Sequence, residues 1–438
     1  YYYLETIMNV NKVKPNGLAL MPIIVFLILF IGIGVVQKDF YSMPAVIGFL
    51  IALAVAFLQT RGISFNEKIS IIAKGVGDDN IITMCLIFLV AGAFSGSVSA
   101  AGGVNSTVNL GLSLLPPGIA VIGLFIIGCF ISISMGTSMG TIAALAPIAM
   151  GISEKTDFPI AICIGAVVSG AMFGDNLSMI SDTTIAAVRT QGCDMRDKFR
   201  KNFLIVLPAA IATIVILFFM TSGAHFTVSK DLDYNIFQVI PYILVLVTAL
   251  IGLNVFIVLI GGIAFSVIAG LATGAMKVSQ IFTSMGKGAT GMYDITVISI
   301  LVACISALVK YNGGFAFILE NIHKHIHSYK GAEFGVAALV GLIDCATANN
   351  TVAIVIAGPI AKEISDDYGI EPARTASLLD MFASVFQGII PYGAQLLSAA
   401  SLTGLSSFDI MPYLFYPYLM AVCGIVSIII SKKKLGKA

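Results

Sequence analysis

"PIAMGISE", residues 147–154, returns in the same chain as "PIAKEISD", residues 359–366, an offset of 212. Two more pairs keep nearly that offset: Gly102-Gly103 returns as Gly313-Gly314 after 211 residues, and Pro159 as Pro372 after 213. Anchors that drift so little divide the chain into two related halves, 12–221 and 222–438. Weak internal symmetry of this kind marks repeat-built membrane folds. Each anchor follows a polar cluster in apolar surroundings, "SMGTSMGT" at 134–141 and "CATANNTV" at 345–352. In hydrocarbon such a stretch survives only where protein or water satisfies its backbone.

The surroundings are membrane-like throughout. Hydrophobic residues make up 58% of the chain and charged ones 11%, with a mean hydropathy of +1.00, whereas soluble chains carry about 25% charged residues. The composition excludes an ordinary soluble domain and predicts an all-α polytopic membrane protein in contact with the lipid bilayer. The first apolar run, 18–36, is long enough to span and reads as a transmembrane helix rather than a cleaved signal. "YYYLETIMN" before it is set aside from the fold. A net charge of +1 gives no reason to expect a nucleic-acid partner. The seven cysteines lack metal-type spacing and read as reduced core residues, and His323, His325 and His327 read as part of a solvated loop.

Apolar runs predict helices at 18–36, 43–59, 81–100, 159–190 and 199–221 in the first half, and at 236–253, 255–276, 293–310, 372–405 and 411–430 in the second. The flanks of the polar clusters, 118–134 with 141–152 and 333–345 with 351–363, include pieces too short to cross. Each pair is therefore expected to form a re-entrant hairpin with the polar cluster at its tip. Each half then has five crossings, one of them broken, and an odd number inverts the second half relative to the first. With the N-terminus inside, nineteen Lys and Arg fall on the cytoplasmic side and only Lys38, Lys155, Lys230, Lys277 and Lys287 outside. This positive-inside bias places both termini in the cytoplasm of a protein read as one of the cell membrane, and it is the same whether each hairpin is re-entrant or two full spans.

Ionisable residues within membrane segments are functional candidates by default. The densest set is "FGDNLSMISDTT", residues 173–184. An unwound break is expected at Gly174-Asp175-Asn176, because Gly costs about 1 kcal/mol relative to Ala in a helix and Asp and Asn compete for its backbone bonds. The stretch offers Asp175, Asn176, Ser178, Asp182 and Thr183, with no Lys or Arg in the run to neutralise either carboxylate. An uncompensated carboxylate at depth must hold a proton or a cation. Ser134, Thr137, Ser138 and Thr141 of the first tip add neutral oxygens of the kind hard cations take. A Na+ site at Asp175 with the 134–141 tip is the expectation, while "SDTT" also reads as a helix cap with Asp182 as its N-terminal carboxylate.

The second half is not a copy: Asp175 maps to Gly388 and Asp182 to Gln395. Its carboxylates are Asp344, just before the tip, and Asp380 in mid-helix. With Thr347, Asn349, Asn350, Thr351, Gln387, Tyr392 and Gln395 they make a candidate site for a solute or a second ion. A plainer alternative, the lesser of the two, is that Asn349 and Asn350 only satisfy the tip carbonyls.

At these residues the chain resembles the NhaC-type Na+/H+ antiporters of the ion-transporter superfamily. "FGDNLSMISDTT" is similar to that family's Gly-Asp-x-x-Ser-x-x-Ser-Asp-Thr signature, with Ile180 in place of its usual proline. "TSMGTIAALAPIA" and "TANNTVAIVIAGPIA" resemble the Ser-Asn-Thr hairpin tips of sodium-coupled carboxylate symporters, with Ser138-Met139 where those have Ser-Asn. The resemblance implies a secondary transporter working by alternating access, with Na+ and H+ as its ions and no other cofactor. It also implies scaffold helices at 18–59 and 236–276, transport elements at 81–190 and 293–405, and a homodimer formed through the scaffold. A Na+-coupled transporter or exchanger of an amino acid or small organic acid is the competing reading. An intramembrane enzyme is disfavoured, since the chain has no HExxH and no Ser/His pair at membrane depth, and position 172 is Met where a Gly-x-Gly-Asp motif ending at Asp175 needs Gly.

Overall fold

The computed structural model describes residues 14–37, 43–114, 117–156, 158–179, 181–222, 232–251 and 253–432, and among these there are helices but no strands. The first half comprises α1 (Met21–Gln37), α2 (Ala45–Gln59), α3 (Phe65–Val76), α4 (Asp79–Ala100), α5 (Gly103–Leu114), α6 (Pro117–Met135), α7 (Ser138–Thr156), α8 (Ile160–Leu177), α9 (Asp182–Gln191) and α10 (Met195–Ser222). The second comprises α11 (Ile236–Leu250), α12 (Val255–Ala272), α13 (Ile281–Thr290), α14 (Tyr293–Tyr311), α15 (Gly314–Lys324), α16 (Tyr329–Thr347), α17 (Asn350–Tyr368), α18 (Pro372–Ile389), α19 (Ala394–Thr403) and α20 (Phe415–Ile430), with a helical turn, Ser407–Ile410, before the last. The order of the elements repeats, from α1 with α11 to α10 with α20.

The packing between the halves is reciprocal. Helix α4 lies against α12 and α13, and its counterpart α14 lies against α2 and α3. Likewise α7 meets α19, α17 meets α9, and α10 meets α20. Small residues allow the closest of these approaches. A Cβ on Gly92 would come within 2.4 Å of the Gly288 carbonyl, and one on Gly75 within 2.6 Å of Ala307 Cβ. Lipid gives helices no hydrophobic reason to associate, so close contact between small residues carries the association.

Three expectations need correction. The hairpin arms α6, α7, α16 and α17 are 19 residues each, about 28 Å at 1.5 Å per residue, so re-entry does not follow from shortness. The apolar reading stopped at polar residues that the helices absorb: Ser138 and Thr141 in the first turn of α7, and charged tails such as "KEISDDY" at the end of α17. The break in the first long helix falls after Leu177, beyond Gly174-Asp175-Asn176. Four shorter helices, α3, α5, α13 and α15, fill stretches the apolar runs left blank. Helix α3 starts in a reciprocal capping box of Ser64 and Glu67, whose hydrogen bonds hold the Glu67 carboxyl below its usual range.

Five helical stretches among the described residues are long and apolar enough to cross a membrane, or six if the pair bent by 57° before α20 counts as one span. Ten were expected. The shortfall includes Ala45–Gln59 and Ile236–Val245, which are apolar but shorter. Burial separates the centre from the rim: an 18-residue window of the stretch Ile160–Gln191 is 94% buried, whereas one of Met195–Ser222 is 28% buried.

Candidate functional site

Both hairpins turn in two residues, Gly136-Thr137 and Ala348-Asn349. Gly136 and Ala348 are both left-handed, at φ +69° and +46°. The residue after each, Thr137 or Asn349, immediately precedes the next helix. Asn349 Oδ1 accepts from the Val352 N–H at 3.0 Å, and Thr137 Oγ1 accepts from the Gly140 N–H at 3.5 Å. Asn349 Oδ1 is thus occupied as an N-cap, serving a backbone N–H rather than the tip carbonyls. Thr141 and Thr347 also bond locally, donating to the carbonyls of Thr137 at 2.9 Å and Asn349 at 3.2 Å. The Thr351 N–H donates to Asn350 Oδ1 at 3.0 Å. The Ser134 side chain lies outside the described residues.

Helix α8 reaches the first tip because its glycines let it press on α6. A Cβ on Gly170 would lie 2.2 Å from the Phe125 carbonyl, and one on Gly174 would lie 2.4 Å from Ser132 Cβ. Gly174 therefore serves close approach rather than unwinding. Asp175, in the last turn of α8, accepts a hydrogen bond at Oδ2 from Ser138 Oγ at 2.7 Å. Ser178 Oγ donates to the Ile133 carbonyl at 2.7 Å, fixing the break against the end of α6. From the other half, Gln395 Nε2 donates to Ser138 Oγ at 3.0 Å. Gln387 Nε2 in turn donates to Gln395 Oε1 at 2.7 Å and to the Ala348 carbonyl at 3.2 Å. One hydrogen-bonded chain thus runs from Asp175 to the second tip.

Asp175 is 6% exposed and forms no ion pair among the described residues. A carboxylate buried beside a hydroxyl with no basic partner can hold a proton or a small cation in alternation.

Asn176 faces elsewhere. Its carbonyl accepts from Lys198 Nζ at 2.9 Å and Asn202 Nδ2 at 3.0 Å, and its Oδ1 accepts from Asn202 Nδ2 at 2.7 Å. Lys198 also donates to Thr184 Oγ1 at 2.8 Å and pairs with Asp380 Oδ2, to which the Thr184 hydroxyl donates at 3.1 Å. Asp380 is therefore ion-paired. Sequence reasoning missed Lys198 and Asn202 because "MRDKFRKN" reads as a basic cytoplasmic turn. The available signal was Asp380 itself, a mid-helix carboxylate that calls for a counter-charge.

Asp344 is buried near the Gln387 backbone, and neither of its carboxylate oxygens has a hydrogen-bond partner among the described residues. Asn350 Nδ2 and Gln387 Oε1 are likewise buried and unpartnered. Tyr392 donates from its hydroxyl to the Cys345 carbonyl at 2.7 Å. Asp182 sits exposed in the first turn of α9, whose N-cap is Ser181, and Thr183 Oγ1 lies 3.1 Å from Ser181 Oγ. Asp182 thus stands at a helix start, as the cap reading has it.

The model of the Na+/H+ antiporter family matches residues 10–222 and 234–431, leaving a gap at the boundary between the halves. The chain belongs to that family. It is 23% identical over 435 residues to the malate-2H(+)/Na(+)-lactate antiporter of Bacillus subtilis, covering 91% of this chain and 92% of the relative. To the Na(+)/H(+) antiporter NhaC of Alkalihalophilus pseudofirmus it is 22% identical over 462 residues, 97% of this chain and 98% of that one. Another family relative is the arginine/ornithine antiporter ArcD of Halobacterium salinarum, 23% identical over 455 residues and covering 94% and 92%. The family is one of transporters, and the apolar helices accord with a multi-pass membrane protein.

Proposed function

We propose that the protein is a secondary active transporter of the cell membrane that exchanges Na+ for H+ by alternating access, with Asp175 as the group both ions compete for. The observation that carries this reading is the buried Asp175 carboxylate, hydrogen-bonded to Ser138 at the first tip and without a basic partner among the described residues. Ser138, Thr137 and the backbone at the tip and at the break supply the neutral oxygens. The chain of Gln395 and Gln387 lets occupancy at Asp175 be felt at the second tip. Exchange by competition follows if the empty, charged carboxylate resists the switch between inward- and outward-facing states.

The recurring element order and reciprocal packing support two repeats related by a two-fold. In our reading that axis lies in the membrane plane, the hairpins are re-entrant, α1–α2 and α11–α12 form the scaffold, and both termini are cytoplasmic. A homodimer through the scaffold belongs to the same reading. The deciding experiment uses proteoliposomes: an imposed Na+ gradient should move protons with no organic solute present, and absence of proton movement would reject simple Na+/H+ antiport.

A second reading is favoured by one feature. Asp344, Asn350 Nδ2 and Gln387 Oε1 are buried, unpartnered and close to the second tip, and such polar groups suit an organic acid or amino acid exchanged against Na+ or H+. Relatives named for malate, lactate, arginine and ornithine point the same way. If proton movement in the same vesicles requires one of those solutes, this second reading is the correct one.

A further inference from the structure

Lys198 lies in the first turn of α10, fully buried with its partner Asp380. Its ammonium has three protons and three acceptors: the Asn176 carbonyl at 2.9 Å, Thr184 Oγ1 at 2.8 Å, and Asp380 Oδ2. These acceptors come from three places. The Asn176 carbonyl is one of those left free in the last turn of α8, at the negative end of that helix. Thr184 belongs to α9, on the other side of the break, and Asp380 to α18 of the second half. A carbonyl, a hydroxyl and a carboxylate converging on one point form the ligand set of an alkali-cation site. A further ligand is in reserve, because Asp380 Oδ1 is buried without a hydrogen-bond partner.

We propose that Lys198 is a tethered cation: its ammonium permanently fills a monovalent-cation site made by the Asn176 carbonyl, Thr184 and Asp380, and shortening the side chain converts that pocket into one that takes Na+, K+ or a small alkylammonium from solution. Removing a partner from a buried ion pair leaves an uncompensated charge that the protein tolerates poorly. A free cation entering the vacated space relieves it. Asp380 and the Asn176 carbonyl are then closed to transported ions in the natural protein, which leaves Asp175 and Asp344 as the carboxylates open to them. The inference does not rest on the antiport reading, since its test measures binding and stability rather than transport.

The test compares thermal unfolding of purified Lys198→Ala in choline chloride with that in NaCl, KCl and methylammonium chloride. All measurements use an Asp175→Asn background, so that the first-tip carboxylate contributes nothing. The expected result is a saturable rise in Tm with at least one of the three cations, abolished when Asp380→Asn is added. A Lys198→Ala protein whose Tm responds no more than its Asp175→Asn parent overturns the proposal. So does one that fails to fold in choline and is restored by none of the three cations. Restoration of folding by a cation is itself a supporting result, and the Lys198→Met/Asp380→Leu pair, which removes both charges, should fold without any cation response.

Discussion

Gly136 and Ala348, 212 residues apart in the chain, occupy the same left-handed position in the two hairpin turns. Only one is glycine. A side chain in that conformation costs roughly 1–2 kcal/mol, partly offset by the roughly 0.5–1 kcal/mol of backbone entropy that glycine loses on folding. Substitutions at the two sites should therefore act in opposite directions. Ala348→Gly should stabilise the protein by up to about 1 kcal/mol and Gly136→Ala destabilise it by a similar amount, read as Tm in detergent. A lower Tm for Ala348→Gly would mean that the packing of its methyl group outweighs the strain.

Replacing Asp175 with Asn keeps the shape beside Ser138 but removes the charge that balances an ion. Na+-driven proton movement should vanish while the protein stays folded. Asp182→Asn, at an exposed helix start, should lose only the dipole contribution of about 0.3–1 kcal/mol and keep most of the transport. Equal losses would join the two carboxylates in one coupled site.

Competition at one carboxylate fixes the sign of the pH dependence. Below the pH at which Asp175 is half protonated, each unit of acidification should raise the Na+ concentration needed for half-maximal binding about tenfold, and above it the requirement should be flat. The Asn349→Ala/Asn350→Ala pair should weaken transport, in part through the lost cap of about 1 kcal/mol, without moving that turning point, because amides do not titrate. Na+ titrations at several pH values decide it. A shifted turning point in the double Asn variant but not in Asp175→Asn would move the proton-linked group to Asp344.

Close approach at Gly174 gives a sharper test than the polar residues do. A Cβ there would lie 2.4 Å from Ser132 Cβ, whereas one on Gly261 meets nothing within 4 Å. Gly174→Ala should push α8 off α6 and cost most of the transport rate. Gly261→Ala, in mid-helix, should leave transport intact and add up to about 1 kcal/mol of stability. Matching rates in vesicles for the two variants would remove the α6–α8 contact from the argument.

Much of this architecture is legible in the sequence, because the repeat supplies its own alignment. The offset that pairs Pro147 with Pro359 also pairs Gly136 with Ala348 and Thr137 with Asn349, and the structure gives those pairs the same turn and cap positions. Helix boundaries near polar residues are less legible. Ser138 and Asp175 sit inside helices because neighbouring elements satisfy their side chains, which local composition does not reveal. Least legible is the Lys198–Asp380 pair, 182 residues apart. A lysine in a basic turn looks solvated until folding brings a carboxylate of the other half over it. Asn176 shows the same limit, being next to Asp175 in the chain yet part of a different cluster.

The crossings at Gly92–Gly288 and Gly75–Ala307 have a bearing on assembly. Each half presents one surface that receives the other's helix and one helix that is received, which is the self-matching arrangement of a two-fold dimer. Carried on separate polypeptides, such halves would have to meet by diffusion in the bilayer, and their pairing would depend on how much protein the membrane held. Joined in one chain, each meets its mate at an effective concentration of millimolar order. Pairing of the two halves is in this way made independent of expression level.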